Sequence, residues 1–147
     1  MGTRSSIGIQ NENGTVDSIY CHWDGCPSHH APILLKHYTS ESKVRKLIKY
    51  GDMSSLRPDI SPRPGTHHSF DKPQGNVCIY YHRDRGEEWN DTKPVRFGSI
   101  SDWQKAAPGR GQYIGYLFKN NKWYFADELY ECPEKQLQEL TEDFDQE

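Results

Sequence analysis

The sequence predicts a single α+β domain with a mainly antiparallel sheet, two or three short helices and an acidic C-terminal helix. The chain has 147 residues, the length of one domain. Two pairs of alternating apolar and polar segments are separated by turn-forming residues, the pattern of β-hairpins. Helix and strand patterns do not alternate along the chain, so the βαβ units of a parallel sheet are not expected. We place the α+β domain at residues 1–132 and the acidic helix and tail at 133–147.

Aromatic residues supply much of the apolar content. Only 33% of residues are hydrophobic, but the chain has four Trp, nine Tyr and five Phe, which disordered chains lack. No apolar run approaches the roughly 18 residues of a membrane span, and the N-terminus has no apolar signal region. Four cysteines without a signal peptide indicate reduced thiols, so we expect a cytoplasmic protein.

The net charge of −3 is unevenly distributed. Residues 127–147 contain nine acidic residues and one basic residue, a net charge of −8, so residues 1–126 carry +5. A mildly basic body can attract an anion. The acidic tail is interpreted as a solvated helix beginning at Pro133, with Leu137 and Leu140 on its apolar face.

The first half of the chain predicts a hairpin followed by two helices. Residues 5–10 and 15–22 alternate on either side of an Asn-Glu-Asn-Gly turn. Helical spacing over residues 30–38 predicts a short helix with Pro32 in its first turn. Thr39 or Ser40 caps a second helix, which ends at Gly51. Its polar face carries four cations and is either solvated or directed at an anion: Lys43, Arg45, Lys46 and Lys49.

The second half predicts a long loop and more strands. Residues 57–74 contain four prolines and little periodicity, and such long loops tend to be functional or mobile. Strands are expected at residues 76–82 and 95–99, and one helical turn around Trp103. Residues 112–119 and 122–126 flank Asn120-Asn121, a strong hairpin signal.

Three loops that follow strand-like segments carry the candidate binding residues. Arginine forks suit phosphate or carboxylate groups, and together with aromatic walls they suit a nucleotide-like ligand. The candidates are His22, Trp23, Asp24, His68, Phe70, His82, Arg83, Asp84, Arg85 and Glu87. We expect the turns that contain Asp24 and Arg83 to lie at the same end of one sheet.

Other interpretations of these residues remain open. The Arg-Asp-Arg-Gly-Glu turn can instead pair with itself at the surface. A zinc site built from Cys21, Cys26 and His29 together with Cys78 and His82 is disfavoured by its spacing, so we expect no metal and no cofactor. The pairs His22–Asp24 and His82–Asp84 could act in acid–base catalysis, but no nucleophile elbow or phosphate loop is present.

Several sequence blocks resemble a family of small phage and prophage proteins that has no assigned activity. The blocks are MGTRSSIGI at 1–9, CHWDG at 21–25, GDMSSL at 51–56, HSFD at 68–71, YHRDRGE at 81–87 and YLF with KWY at 116–124. The resemblance covers most of the chain to about residue 126, and it departs at Cys26, where the family has Tyr. It implies an accessory protein of the infected bacterial cytosol, of the kind that inhibits a host factor or sequesters a signalling nucleotide.

The leading hypothesis is therefore a phage host-takeover or anti-defence protein that binds a small anionic, nucleotide-like ligand without catalysis. One alternative is a protein-binding inhibitor of a host enzyme, and another is a nucleotide hydrolase or phosphodiesterase. The expected partners are the small anion and a host protein, with no membrane, and formation of a homo-oligomer stays open.

Overall fold

The computed structural model describes residues 3–106, 114–126 and 137–141. The strands in chain order are β1 Ser5–Gln10, β2 Val16–Cys21, β3 Met53–Ser55, β4 Ile79–Tyr80, β5 Val95–Phe97, β6 Ile114–Lys119, β7 Lys122–Ala126 and β8 Gln138–Glu139. The helices are α1 Pro27–His37, α2 Glu41–Lys49, α3 Tyr81–Arg85, α4 Trp89–Thr92 and α5 Ile100–Ala106.

The described strands form one mixed sheet in the order β4-β3-β2-β1-β6-β7-β8, and β5 also pairs with β2. The α+β class is confirmed, but the expected mainly antiparallel sheet is wrong, because β6 runs parallel to β1 and β3 runs parallel to β2. Helices α1 and α2 carry the chain back to place β3 beside β2, and such crossovers produce parallel pairs. The described elements also include five helices rather than two or three.

Both predicted hairpins and the second helix are confirmed. Strands β1 and β2 pair in antiparallel register, and so do β6 and β7. The β6–β7 turn has positive φ at Asn120 (52°) and Asn121 (63°), as a two-residue hairpin turn requires. In α2 the Ser40 hydroxyl accepts the Lys43 N–H at 3.3 Å, which caps the first turn.

The first helix and the predicted strand at 76–82 differ from expectation. Helix α1 begins at Pro27, so Pro32 lies inside the helix and Pro27 takes the favourable first position. Strand β4 comprises only Ile79–Tyr80, and the chain then turns into α3.

The C-terminal segment also differs, where it is described. Within residues 137–141 the chain forms strand β8 against β7 rather than a helix. Leu140 is 4% exposed and packs in the main core, and its N–H bonds to the Trp123 carbonyl at 2.8 Å. Edge pairing therefore replaces the predicted helix here. The remainder of the predicted acidic helix, at 133–136 and 142–147, lies outside the described residues.

The sheet is covered on both faces. Helices α1 and α2 enclose the larger core, which contains Ile7, Ile19 and Leu47. Helix α5 covers part of the other face, where Trp103 packs with Val16 and donates its indole N–H to the Ser6 hydroxyl at 2.8 Å. No helix in the described ranges combines the length and apolar character needed to cross a bilayer.

Candidate functional site

Strand β4 is short because a side chain takes the hydrogen bond that would continue it. The Asp84 carboxylate accepts the Tyr80 N–H at 2.8 Å, and Tyr80 is the N-cap residue of α3. Gly86 ends α3 with a φ of 81°, a left-handed conformation that favours glycine. The YHRDRGE block thus encodes one short helix, with its start fixed by an aspartate and its end by a glycine.

Arg83 points into the protein rather than into a ligand site. Its guanidinium donates two hydrogen bonds to Asp84, at 2.9 and 3.0 Å. It donates two more to the carbonyl groups of Ile60, at 2.6 Å, and Cys78, at 2.9 Å. Its Cζ atom also lies 4.8 Å from the centre of the Tyr80 ring, a cation–π distance. Four of the five guanidinium N–H groups are therefore used inside the protein.

His68 completes this arrangement. Its Nδ1 accepts the backbone N–H of Gln74 at 3.0 Å, so the ring proton lies on Nε2. The Nε2–H donates to the Cys78 carbonyl at 3.2 Å, and Nε2 also lies 3.3 Å from Asp84 Oδ2. The His68 and Asp84 side chains are 1% and 4% exposed. We call His68, Arg83 and Asp84 the carboxylate clamp. It fastens the long loop between β3 and β4 to helix α3, which is a structural role.

The other predicted residues of this region lie at the surface and contact one another. Arg85 is 53% exposed, its Nε is 3.4 Å from a Glu87 carboxylate oxygen, and its guanidinium lies 4.7 Å from the Phe70 ring centre. His82 donates from Nδ1 to the Glu87 carbonyl at 2.7 Å, and its ring packs edge-on against Trp89. These contacts correspond to the self-paired alternative for this turn.

The CHWDG block forms a second, separate surface. The Tyr20 hydroxyl is 2.5 Å from His22 Nδ1, and the His22 ring packs edge-on against Trp23. Trp23 is 41% exposed, and Asp24 is exposed with a φ of 58°. This surface presents an indole and an imidazole to solvent.

Gly25 explains why this block must end in glycine. Its N–H donates to the Thr3 carbonyl at 2.8 Å, and its own carbonyl accepts the Tyr116 hydroxyl at 2.6 Å. A Cβ atom at this position would lie 2.6 Å from the Thr3 oxygen and 2.9 Å from Ser5 Cβ. The glycine therefore allows the loop to pack against the start of the chain.

The two predicted loop clusters do not meet at one end of the sheet. Strand β3 is parallel to β2 and antiparallel to β4, and the register aligns Cys21 with Met53 and Met53 with Tyr80. The chain therefore leaves β2 and β4 in opposite directions. The prediction of a shared sheet is confirmed, but the prediction that Asp24 and Arg83 lie at the same end is wrong.

Asp52 links Tyr20 and Tyr81, which adjoin the two clusters in the sequence. Both backbone N–H groups bond to Asp52, that of Tyr20 to its carboxylate at 2.9 Å and that of Tyr81 to its carbonyl at 3.2 Å. Burial raises the pKa of both phenols; for Tyr81 the neighbouring Tyr20 adds to the rise, and a hydrogen bond with Ser54 opposes it. This part of the surface therefore offers neutral hydroxyl groups.

A different set of residues forms an open groove between α2 and the long loop. Its volume is about 660 Å³. Three cations line it, Lys43 and Lys46 from α2 and Arg63 from the loop. Its other lining residues are Ser42, Asp59, Ile60, Ser61, Pro62 and Pro64. We call this the basic groove. The sequence raised an anion-facing role for the two lysines, but it held no signal that Arg63 would join them.

Within the described residues, the cations of the basic groove have no carboxylate partner in ion-pair distance. In the part of the chain that the structure describes, Lys43, Lys46 and Arg63 form no ion pair within 4.0 Å. Lys43 Nζ lies 4.9 Å from the centre of the buried Tyr38 ring, and this cation–π contact helps to fix the position of the ammonium group. The groove thus combines available positive charge with apolar walls.

Catalytic and metal arrangements find less support. Neither predicted His–Asp pair forms, because His22 bonds to Tyr20 and His82 bonds to the Glu87 carbonyl. Ser5 Oγ is 3.2 Å from His30 Nε2, but both residues are 0% exposed, so no substrate reaches them. No cluster of three or more His, Cys, Asp or Glu able to hold a metal occurs among the residues described.

The surface features divide by what they offer a ligand. The basic groove offers three cations that have no ion-pair partner among the described residues. The surface around Trp23 offers exposed aromatic groups. Within the described residues, the carboxylate clamp leaves one Arg83 N–H without a partner. No protein-family model, curated protein or solved structure matches this chain.

Proposed function

We propose that this protein is a phage accessory protein that binds a small anionic, nucleotide-like ligand in the basic groove without catalysing its conversion. The observation that carries the proposal is a set of three cations that line one groove and have no ion-pair partner among the residues that the structure describes. The phage setting depends on the sequence resemblance alone, whereas the charge of the ligand depends on the groove.

The groove has the dimensions and chemistry of a small-molecule site. Ligand sites usually have volumes of about 300–1,000 Å³ and combine apolar walls with a few polar groups, and this open groove has a volume of about 660 Å³. Arg63 can hold a phosphate with two parallel hydrogen bonds, while the lysines act as point charges. Pro62 and Pro64 provide flat apolar surface for a ring.

Titrations with inorganic pyrophosphate and with nucleoside monophosphates test this proposal. Each of Lys43→Ala, Lys46→Ala and Arg63→Ala removes a charge-assisted interaction, so we expect about a ten- to hundredfold weaker binding per variant. Affinity should also fall as salt rises, because these charges are exposed. Lys36→Ala, an exposed lysine of α1 outside the groove, is the matched control. If the three groove variants bind as the wild type does, the cations are only a solvated surface.

One observation favours a second function, the inhibition of a host protein. Trp23 and Trp89 are the large hydrophobic side chains exposed in the described residues, at 41% and 37%. Tryptophan is enriched in the energetic centres of protein interfaces. Under this alternative, Trp23→Ser abolishes function in infected cells while nucleotide binding is unchanged. Under the leading proposal, Arg63→Ala abolishes function and Trp23→Ser does not.

A further inference from the structure

An aspartate lies in the same groove as the three cations and is not paired with them. Asp59 lines the basic groove, yet among the described side chains none forms a hydrogen bond or ion pair with its carboxylate. A carboxylate repels a phosphate, so its presence in an anion site needs a separate explanation. We infer that Asp59 recognises the base of the ligand and that the ligand is a guanine nucleotide. This inference rests on the proposed function.

The backbone holds Asp59 in a fixed place. Its N–H donates to the Asn76 carbonyl at 2.9 Å, and its carbonyl accepts the Cys78 N–H at 2.8 Å. Asp59 and Val77 form an isolated parallel bridge. The charge of Asp59 contributes, after burial and Cys78, to the raised pKa of the Tyr38 phenol. Asp59 and Lys43 both line the groove, and Lys43 Nζ lies 4.9 Å from the centre of the Tyr38 ring.

A carboxylate with two free oxygens accepts two parallel hydrogen bonds. Guanine presents such a pair of donors, its ring N1–H and its 2-amino group, whereas adenine has no N1–H and hypoxanthine has no 2-amino group. The phosphate would then contact the three cations of the basic groove, and the base would lie against the proline rings with its donor edge at Asp59. The volume of the groove, about 660 Å³, admits a mononucleotide.

The distinguishing experiment is a calorimetric titration of the wild-type protein with GMP, IMP, AMP and XMP. GMP should bind about tenfold or more tightly than IMP and AMP, because one or both hydrogen bonds to the carboxylate are lost with the other bases. Asp59→Asn should lose the preference for GMP and gain affinity for XMP, because an amide can donate to the 2-oxo group of xanthine. Asp71→Asn is the control, since Asp71 is an exposed aspartate of the same long loop outside the groove.

The outcomes separate this inference from the proposed function. If all four nucleotides bind equally and Asp59→Asn changes nothing, while Lys46→Ala still weakens binding, the base assignment is overturned and the anion site stands. If no nucleotide binds, or Lys46→Ala has no effect on binding, the proposed function fails. The titrations of the wild-type protein with the four nucleotides test the base preference without any substitution. For Asp59→Asn, an unchanged thermal melting temperature confirms that a change in affinity reflects binding and not unfolding.

Discussion

Replacing Arg83 with alanine should destabilise the fold rather than remove a ligand contact. The substitution deletes four hydrogen bonds and leaves Asp84, 4% exposed, without its guanidinium partner. Removing one partner of a buried ion pair costs about 3–5 kcal/mol. Because Arg83 is 20% exposed and Asp84 keeps its hydrogen bond from the Tyr80 N–H, we expect a loss of about 2–4 kcal/mol in the free energy of unfolding. Arg83→Lys should recover little of this, since an ammonium cannot span the Ile60 carbonyl, the Cys78 carbonyl and the carboxylate together.

Urea denaturation of the wild type, Arg83→Ala and Arg85→Ala measures how much each substitution lowers the free energy of unfolding. Arg85 is the matched control, because it lies in the same short helix but is 53% exposed and pairs with Glu87 only at 3.4 Å. Exposed pairs of this kind contribute about 0–1 kcal/mol. A loss below about 1 kcal/mol for Arg83→Ala, or equal losses for both variants, would refute the structural assignment of the carboxylate clamp.

Three further predictions concern the core and the turns. Burial and the neighbouring His29 lower the pKa of His30 from 6.5 to about 3. Because only the unfolded chain takes up this proton between those two values, the free energy of unfolding is retained above pH 6.5 and falls as the pH is lowered. In urea titrations, His30→Gln should reduce this loss by about 2–3 kcal/mol between pH 6.5 and pH 4.5. Gly51→Ala should lower the free energy of unfolding by about 2–5 kcal/mol, because φ is 86° and a Cβ atom would overlap the Thr92 carbonyl oxygen. Gly86→Ala, where φ is 81° but the space is open, should lower it by about 1–2 kcal/mol, and thermal melting measures both. Leu140→Ala should lower the free energy of unfolding by about 2–4 kcal/mol in the same assay, because the Leu140 side chain is 4% exposed. Gln138→Ala changes an exposed site and is the control, so equal stability of the two variants would contradict the packing of Leu140.

The elements that the sequence predicted are those whose signals are local. The alternation of residues 5–22, the Asn120-Asn121 turn and the Ser40 cap each determine a structure within a few residues. The parallel pairs β1–β6 and β2–β3 join segments far apart in the chain, and no turn marks them. Strand β8 was missed for a similar reason, since it lies between Leu137 and Leu140, and two leucines at this spacing among polar residues suit a helix as well as an edge strand.

The predicted site residues were chosen by chemical type, and type does not show whether a side chain is already engaged. His68, Arg83 and Asp84 have the chemistry of a ligand site, but each is bonded to the others or to the backbone. Their spacing gave no indication of this, because the contacts depend on the position of the long loop. The two lysines of α2 were visible as a charged helix face, whereas Arg63 joins them only through the tertiary fold.

Arg63 and Arg83 show how the structure separates binding from stability. Both are arginines near the long loop, and a guanidinium has the same five donors in each. Four of the Arg83 N–H groups donate to the Ile60 carbonyl, the Cys78 carbonyl and the Asp84 carboxylate. A ligand could therefore bind these donors only if those hydrogen bonds broke. Arg63 is exposed in the basic groove with no ion pair in the described chain, so its charge is available at no structural cost. Arg63→Ala should therefore lower affinity at unchanged stability, and Arg83→Ala should lower stability first.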